Sequence, residues 1–297
     1  MRKNNYLVCV AAAAVMSILA PLAKAADHDW DYSYPVKDEQ TIRNNYQLTG
    51  VGKKTLEVDN IFGTIEVVGV SGNEVRMVVT ETFRAETPDR LLRAKKEVSL
   101  DVTNENGALR LYVNGPFRCH CNDGDGWGSR EHAGYIVKMD FKLEVPTNMD
   151  VALSTVNDGQ VKLSGVTGDY RVHNVNGSID ITDAAGSGVA KTVNGHVKVS
   201  FRENPKANSE FGSINGEVVL AFAQNLSADF RFKNMNGGVY TDYELASLPQ
   251  QAATEKRENG RFIYRADRFT GGRVGNGGPE IKVENLNGAI RILQRRA

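Results

Sequence analysis

Val175-Asn176-Gly177-Ser178-Ile179, Val193-Asn194-Gly195-His196-Val197, Ile214-Asn215-Gly216-Glu217-Val218, Met235-Asn236-Gly237-Gly238-Val239 and Leu286-Asn287-Gly288-Ala289-Ile290 are five copies of one short pattern. An apolar residue precedes an Asn-Gly pair and an alternating strand follows it. Two degenerate copies stand earlier, Ile61-Phe62-Gly63-Thr64-Ile65 and Asn157-Asp158-Gly159-Gln160-Val161. From Gly159 to Gly237 the glycines recur about every 18 to 21 residues, a spacing in the range of solenoid repeats.

Aligned on their asparagines, the five copies form columns. Three residues later stand Ile179, Val197, Val218, Val239 and Ile290; five later stand Ile181, Val199, Leu220, Thr241 and Ile292; four earlier stand Val172, Ala190, Phe211, Phe232 and Val283. The apolar columns have period two, so they face one side of each strand. Each repeat therefore reads as two short strands around an Asn-Gly corner. Glycine accepts positive φ at such a corner, and asparagine tolerates it better than most residues. A two-strand repeat cannot bury its apolar side alone, but stacking at about 4.8 Å turns each column into a continuous core. The small polar column two before the corner (Asn174, Thr192, Ser213, Asn234, Asn285) is expected to hydrogen-bond to itself between repeats. Asn-Gly is also the strongest hairpin signal. Hairpins alone do not explain aligned columns with a period near 20, so the expected fold is all-β, a parallel solenoid of stacked two-strand repeats.

Outside the repeats, Arg2 and Lys3, an apolar run from Tyr6 to Ala23 and the small-x-small end Ala23-Lys24-Ala25 read as a secretory signal peptide over residues 1–25. The mature chain would begin near Ala26. Its removal takes three basic residues and no acidic one from a balance of 36 each, which leaves a slightly acidic chain not driven to nucleic acid by charge. No later apolar run is long enough to span a membrane. Residues 26–54 read as an extended N-terminal arm, 55–297 as one domain with regular repeats at 159–241 and 280–293, and 246–260 as a polar insertion. Thr87, Pro88 and Asp89 announce one short helix near residues 88–97.

The motifs resemble the bacterial "putative adhesin" family of exported β-strand-repeat proteins, whose domain has no assigned function. The resemblance is carried by Asp59-Asn60-Ile61-Phe62-Gly63-Thr64-Ile65-Glu66-Val67, by Phe141-Lys142-Leu143-Glu144-Val145-Pro146, by the Asn-Gly repeats and by Val274-Gly275-Asn276-Gly277-Gly278-Pro279-Glu280-Ile281. It covers about residues 55 to 293. It implies a right-handed β-helix-like solenoid and a cell-envelope location, with no established activity and no catalytic residues.

Three constellations could carry chemistry. Cys119, His120, Cys121 and His132 offer thiol and imidazole ligands of the kind zinc or copper takes, but the cysteines are closer than in ordinary structural zinc sites. Export favours oxidation instead, so a Cys119–Cys121 disulfide, an intermolecular bridge and free thiols all stand as readings. Asp123 and Asp125 suggest a calcium loop, yet Cys121 and His132 occupy the end positions where carboxylates belong. Arg171, His173, Lys191, Arg231, Lys233 and Lys282 fall at outward positions three and five before the corners, opposed by Glu210 and Glu284. Stacked, they form a mildly basic stripe that could meet anionic glycan or lipid headgroups.

Some parallel β-helices cleave acidic polysaccharides with clustered carboxylates. The outward column Asp180, Lys198, Val219, Tyr240 and Arg291 holds no carboxylate pair, and His173 and His196 have no evident serine or cysteine partner. The sequence thus reads as a non-enzymatic exported structural or binding module, periplasmic or at the cell surface, with no cofactor. Its partner would be an envelope component such as an anionic glycan or a protein. The alternatives are a carbohydrate-active β-helix enzyme and a periplasmic partner of an envelope stress-sensing system. The structural corners are Gly63, Asn176, Gly177, Asn194, Gly195, Asn215, Gly216, Asn236, Gly237, Asn287 and Gly288.

Overall fold

Alternating strand patterns dominate the sequence, and strands dominate the computed structural model, which describes residues 33–50, 52–118, 133–249, 254–258, 261–265 and 269–295. The signal-peptide segment and the Cys119, His120, Cys121 and His132 loop lie outside the described residues. In chain order the elements are β1 (Val36–Gln47), β2 (Thr55–Asp59), β3 (Ile65–Val70), β4 (Glu74–Ala85), α1 (Pro88–Glu97), β5 (Ser99–Glu105), β6 (Ala108–Asn114) and β7 (Tyr135–Pro146). The repeat region follows with β8 (Asp150–Ser154), β9 (Val161–Ser164), β10 (Tyr170–His173), β11 (Ile179–Ala184), β12 (Gly188–Asn194), β13 (Val197–Phe201), β14 (Ser209–Asn215), β15 (Val218–Phe222), β16 (Ala228–Asn236) and β17 (Val239–Thr241). The chain closes with β18 (Ala246–Leu248), β19 (Thr254–Glu258), β20 (Arg261–Arg265), β21 (Thr270–Val274), β22 (Glu280–Asn287) and β23 (Ile290–Gln294). The elements described are strands apart from α1, so the fold is mostly β. Part of the segment expected as an arm is the strand β1.

The chain divides into two compact units. The smaller comprises 1–39, 82–99 and 114–137, and among its described residues it carries α1. The helix begins as its sequence dictates: the Thr87 side chain accepts from the Arg90 N–H at 3.3 Å, Pro88 opens the first turn and Asp89 sits at the positive end. Arg93 pairs with Glu97 one turn on at 2.7 Å. Glu97 also accepts from the Tyr135 hydroxyl.

The larger unit comprises 40–81, 100–113 and 138–297. It is built on two large mixed sheets. One runs β1-β4-β7-β3-β9-β11-β13-β15-β23-β17 and the other β18-β21-β16-β22-β14-β12-β10-β8-β2-β6-β5. Each repeat gives one strand to each sheet, and equivalent strands pair in parallel and in register. Ile179 lies opposite Val197, Val197 opposite Val218, and Val218 opposite Ile290. The apolar columns are thereby brought together: Ile179, Val197, Val218, Ile290, Val172, Ala190, Phe211 and Val283 are all fully buried.

The repeats do not stack in the order in which they occur. The last one, β22 and β23, is inserted between β14–β15 and β16–β17. At the other end the first, β2 and β3, lies between β6–β7 and β8–β9. Because every repeat presents the same columns, any one can pair with any other, and the connections decide the order. The segment between β17 and β22 is long enough to carry the chain past one layer and back.

The corners bear out the sequence reading for glycine but not for asparagine: Gly195, Gly216, Gly237 and Gly288 have φ between 139° and 156°. No corner asparagine has positive φ. Glycine is needed there for a second reason, the only one at Gly177: the corner carbonyl of the neighbouring repeat occupies the space of a Cβ, and would lie 1.9 Å from a Cβ at Gly177, 2.0 Å from one at Gly216 and 2.1 Å from one at Gly288. The asparagine side chains form an exposed amide ladder across six repeats. Asn176 donates to Asn157, Asn194 to Asn176, Asn215 to Asn194, Asn287 to Asn215 and Asn236 to Asn287, at 2.7–2.8 Å.

The small polar column does not bond to itself as expected. It points inward and donates to the corner glycine carbonyl of the adjacent repeat: Asn174 to Gly159, Thr192 to Gly177, Ser213 to Gly195, Asn285 to Gly216 and Asn234 to Gly288, at 2.7–3.2 Å. Those carbonyls would otherwise be acceptors at the edge of the core with no partner, so the side chains are drawn to them in preference to each other.

Candidate functional site

Outward positions on β10, β12, β14, β22 and β16 bring the expected stripe together on one sheet. His173 lies in register with Lys191, Glu210 with Lys282, Lys282 with Arg231, and Glu284 with Lys233. Side chains one strand apart on one face are within reach of each other, and opposite charges pair. Lys191 reaches Glu210 at 2.6 Å and Lys233 reaches Glu284 at 3.3 Å. Glu280 serves both Arg231, at 3.6 Å, and Lys282, at 3.2 Å. Arg171 has no ion-pair partner among the described residues. The face is therefore a net of lateral ion pairs with one unpaired cation at Arg171.

His173 adds no charge at neutral pH. Desolvation first, then the nearby Lys191 and Arg171, push its imidazole below the ordinary range, against the opposing pull of Glu210. With the folded-state pKa lowered, the unfolded chain takes up the proton first on acidification. Stability therefore falls as pH drops through the unperturbed value of about 6.5 and levels off below the folded value. His173→Asn should flatten that part of the profile of Tm against pH, read by thermal denaturation between about pH 7.5 and about pH 5. An unchanged slope would show that His173 does not set it.

The other sheet holds a constellation that sequence reasoning missed. Ser178 and His196 occupy the same position, two after the corner asparagine, in adjacent repeats. Ser178 Oγ lies 3.0 Å from His196 Nδ1, and Asp180 lies 3.2 Å from His196 Nε2. The signal was available, because residues at the same column offset in consecutive repeats must touch. Carboxylate to Nε2 and hydroxyl to Nδ1 leave the ring bridging a serine and an aspartate, the role a histidine has in nucleophilic catalysis. What acyl transfer also needs is an oxyanion site. Here the neighbouring Ile179 and Val197 N–H groups are spent on the ladder, donating to His196 and Glu217 carbonyls at 2.9 and 3.0 Å. The His196 N–H points at Ser178 Oγ itself, at 3.4 Å. Asp180 is flanked in register by Lys162 and Lys198, so no carboxylate pair forms.

A second polar column was also missed, seven before the corner. Asp150, Asp169 and Asn208 accept the backbone N–H groups of Asp169, Ser187 and Glu280 at 2.7, 3.1 and 2.9 Å. It acts at the opposite end of each strand as the inward polar column acts at the Asn-Gly corner. No group of three or more His, Cys, Asp or Glu stands placed to hold a metal ion among the described residues. No helix among them is long and apolar enough to cross a membrane.

No family model matches the chain, and no curated protein does. Two solved structures are similar to it. One is a "putative cell adhesion protein" from Clostridium sporogenes ATCC 15579, 11% identical over 87% of this chain and 100% of that one, with a TM-score of 0.35. The other is a "putative adhesin" from Bacteroides fragilis NCTC 9343, 13% identical over 86% of this chain and 97% of that one, with a TM-score of 0.39.

Proposed function

We propose that the chain is a non-enzymatic, adhesin-like binding module of the bacterial cell envelope, exported by its N-terminal signal and built as a right-handed parallel β-helix-like solenoid. The in-register parallel pairing of successive repeats supports the solenoid. The observation that carries the function is the arrangement of the outward side chains. They form rows repeating at the strand spacing of about 4.8 Å and locked laterally by ion pairs. Such a face suits an extended, repeating partner, and the cation left over at Arg171 gives it a preference for an anionic one, a glycan or the headgroups of lipopolysaccharide.

The test is retention on immobilised lipopolysaccharide and acidic polysaccharide, followed by an assay for reducing ends. The chain should be retained, be eluted by salt and release no ends. Arg171→Glu breaks no ion pair among the described residues, so it should leave Tm unchanged and elute at lower salt. Equal retention of the variant would remove the stripe from the binding surface. Release of reducing ends would favour the enzyme reading, for which Ser178, His196 and Asp180 are the groups to substitute.

A further inference from the structure

The stack of repeats ends differently in its two sheets. On one side β16 is covered by antiparallel β21, from Ala228 opposite Val274 to Phe232 opposite Thr270. On the other, β17 pairs with β23 alone and is the last strand of its sheet. The outer edge from Asn234 to Thr241 carries no strand among the described residues. The columns register the gap. Ile179, Val197, Val218 and Ile290 are 0% exposed, whereas Val239, their equivalent in this repeat, is 40% exposed. Met235 and Tyr240 beside it are 64% and 54% exposed. Asn174, Thr192, Ser213 and Asn285 are buried, while Asn234 is half-buried. Stacks of repeats ordinarily end in a polar cap, and open strand edges are blunted by charge, proline or a covering segment. Among the described residues this edge has none of these.

The hydrogen-bond inventory says what would fit. At each interior junction the corner glycine N–H donates to the asparagine carbonyl of the next repeat, as Gly216 does to Asn287 at 3.0 Å and Gly288 to Asn236 at 2.9 Å. The N–H three after the asparagine donates to the carbonyl two after the next one, as Val218 does to Ala289 and Ile290 to Gly238. The asparagine Oδ1 accepts from the next amide, and the glycine carbonyl accepts from the next small polar side chain. At the open end the same four groups are present: Gly237 N–H, Val239 N–H, Asn236 Oδ1 and the Gly237 carbonyl. None of them has a partner among the described residues.

We propose that this edge is a docking template for one further repeat supplied by another polypeptide, a parallel strand segment with the signature Asn/Ser/Thr-x-Asn-Gly-x-Val/Ile. Each position follows from a group on the edge. The small polar residue reaches the Gly237 carbonyl. The asparagine extends the amide ladder from Asn236. The glycine is required because the preceding carbonyl lies 1.9–2.4 Å from the Cβ position at Gly177, Gly195, Gly216, Gly237 and Gly288. The β-branched residue covers Val239. This is recognition by strand addition, with main-chain bonds giving affinity and the corner giving specificity. The occupant is a foreign chain and not a second copy, because this protein's own Asn-Gly repeats are engaged inside its stack and, among the described residues, the free edge of that kind is the acceptor itself.

The probe is a labelled synthetic peptide with the sequence of residues 280–294, titrated into the full chain and followed by fluorescence anisotropy. Saturable binding is expected. It should weaken by about tenfold or more with Val239→Pro, whose lost N–H faces away from β23 and belongs to no existing ladder bond. A peptide carrying Gly288→Val should fail likewise. An unchanged Tm for Val239→Pro shows that the variant is folded. Absence of binding, or equal binding by the variant, overturns the proposal. Self-association of the wild-type chain in sedimentation, abolished by Val239→Pro, would give the edge to a second copy and overturn the foreign-strand assignment. The edge is separate from the charged face, so this outcome is independent of retention on glycans.

Discussion

Gly177→Ala will prevent the stack from closing, although it adds one methyl group at a backbone conformation that any residue can adopt. Gly177 is not among the glycines with positive φ, so the new Cβ meets no conformational penalty of its own. It meets the Gly159 carbonyl oxygen at 1.9 Å and the Asn174 amide nitrogen at 2.7 Å. The Gly159 carbonyl cannot give way without disturbing the bond it accepts from the Asn174 amide at 3.0 Å, and Gly177 cannot withdraw from it without disturbing its own N–H bond to Asn194 at 2.9 Å and the Thr192 bond to its carbonyl at 2.7 Å. The expected cost is on the order of 3 kcal/mol or more, from overpacking and lost hydrogen bonds together. Gly72→Ala is the comparison. Gly72 has φ of 133° but nothing within 4 Å of its Cβ position, so it pays conformational strain alone, about 1–2 kcal/mol. Thermal and denaturant unfolding of the two variants separate the causes. Equal losses would mean that close approach is not what fixes the corner glycines.

Deleting residues 279–297 will do more than shorten the stack by a layer. If repeats stacked in sequence order, loss of the last one would expose a new end and leave the rest intact. Here β23 is the only strand partner of β17 among the described residues, and β22 joins β14 to β16. Its removal also strips the cover from Val218 and Phe211, both fully buried in the intact chain. Residues 228–241 lose their parallel partners in both sheets and should become sensitive to limited proteolysis, with cleavage concentrated there and Tm lowered by many degrees. A truncated protein that resists protease over 228–241 would show that β16 re-pairs directly with β14, which the equivalence of the columns allows.

That equivalence also explains what could and could not be read in advance. The apolar columns and the corner pattern were legible because burial imposes a period of two within a strand and stacking imposes one near 20 between repeats. The helix was legible from Thr87, Pro88 and Asp89. The stacking order was not, since any repeat fits against any other and only the connections choose. The role of the small polar column was misjudged for a related reason. Sequence places Asn174, Thr192 and Ser213 in one row but does not say that a glycine carbonyl lies nearer to each than its neighbour in the row does. On the charged face, Lys191 and Glu210 were visible as opposed charges. Glu280, which holds both Arg231 and Lys282, was not, because it lies outside the columns chosen for comparison. Ser178, His196 and Asp180 escaped because each is unremarkable in its own repeat and meets the others only across two of them.

The inserted position of the last repeat bears on how the protein is made. A chain lengthening from its N-terminus can close its middle layers as they appear, but residues 228–241 lack their parallel partners of the finished fold until residues 280–294 exist. Until then the nascent stack keeps an open end with unpaired strand edges, the state that chaperones and proteases recognise. Completion of the stack thereby waits on residues 280–294. A product that stops before residue 280 keeps β14, β15 and residues 228–241 without the partners that join them.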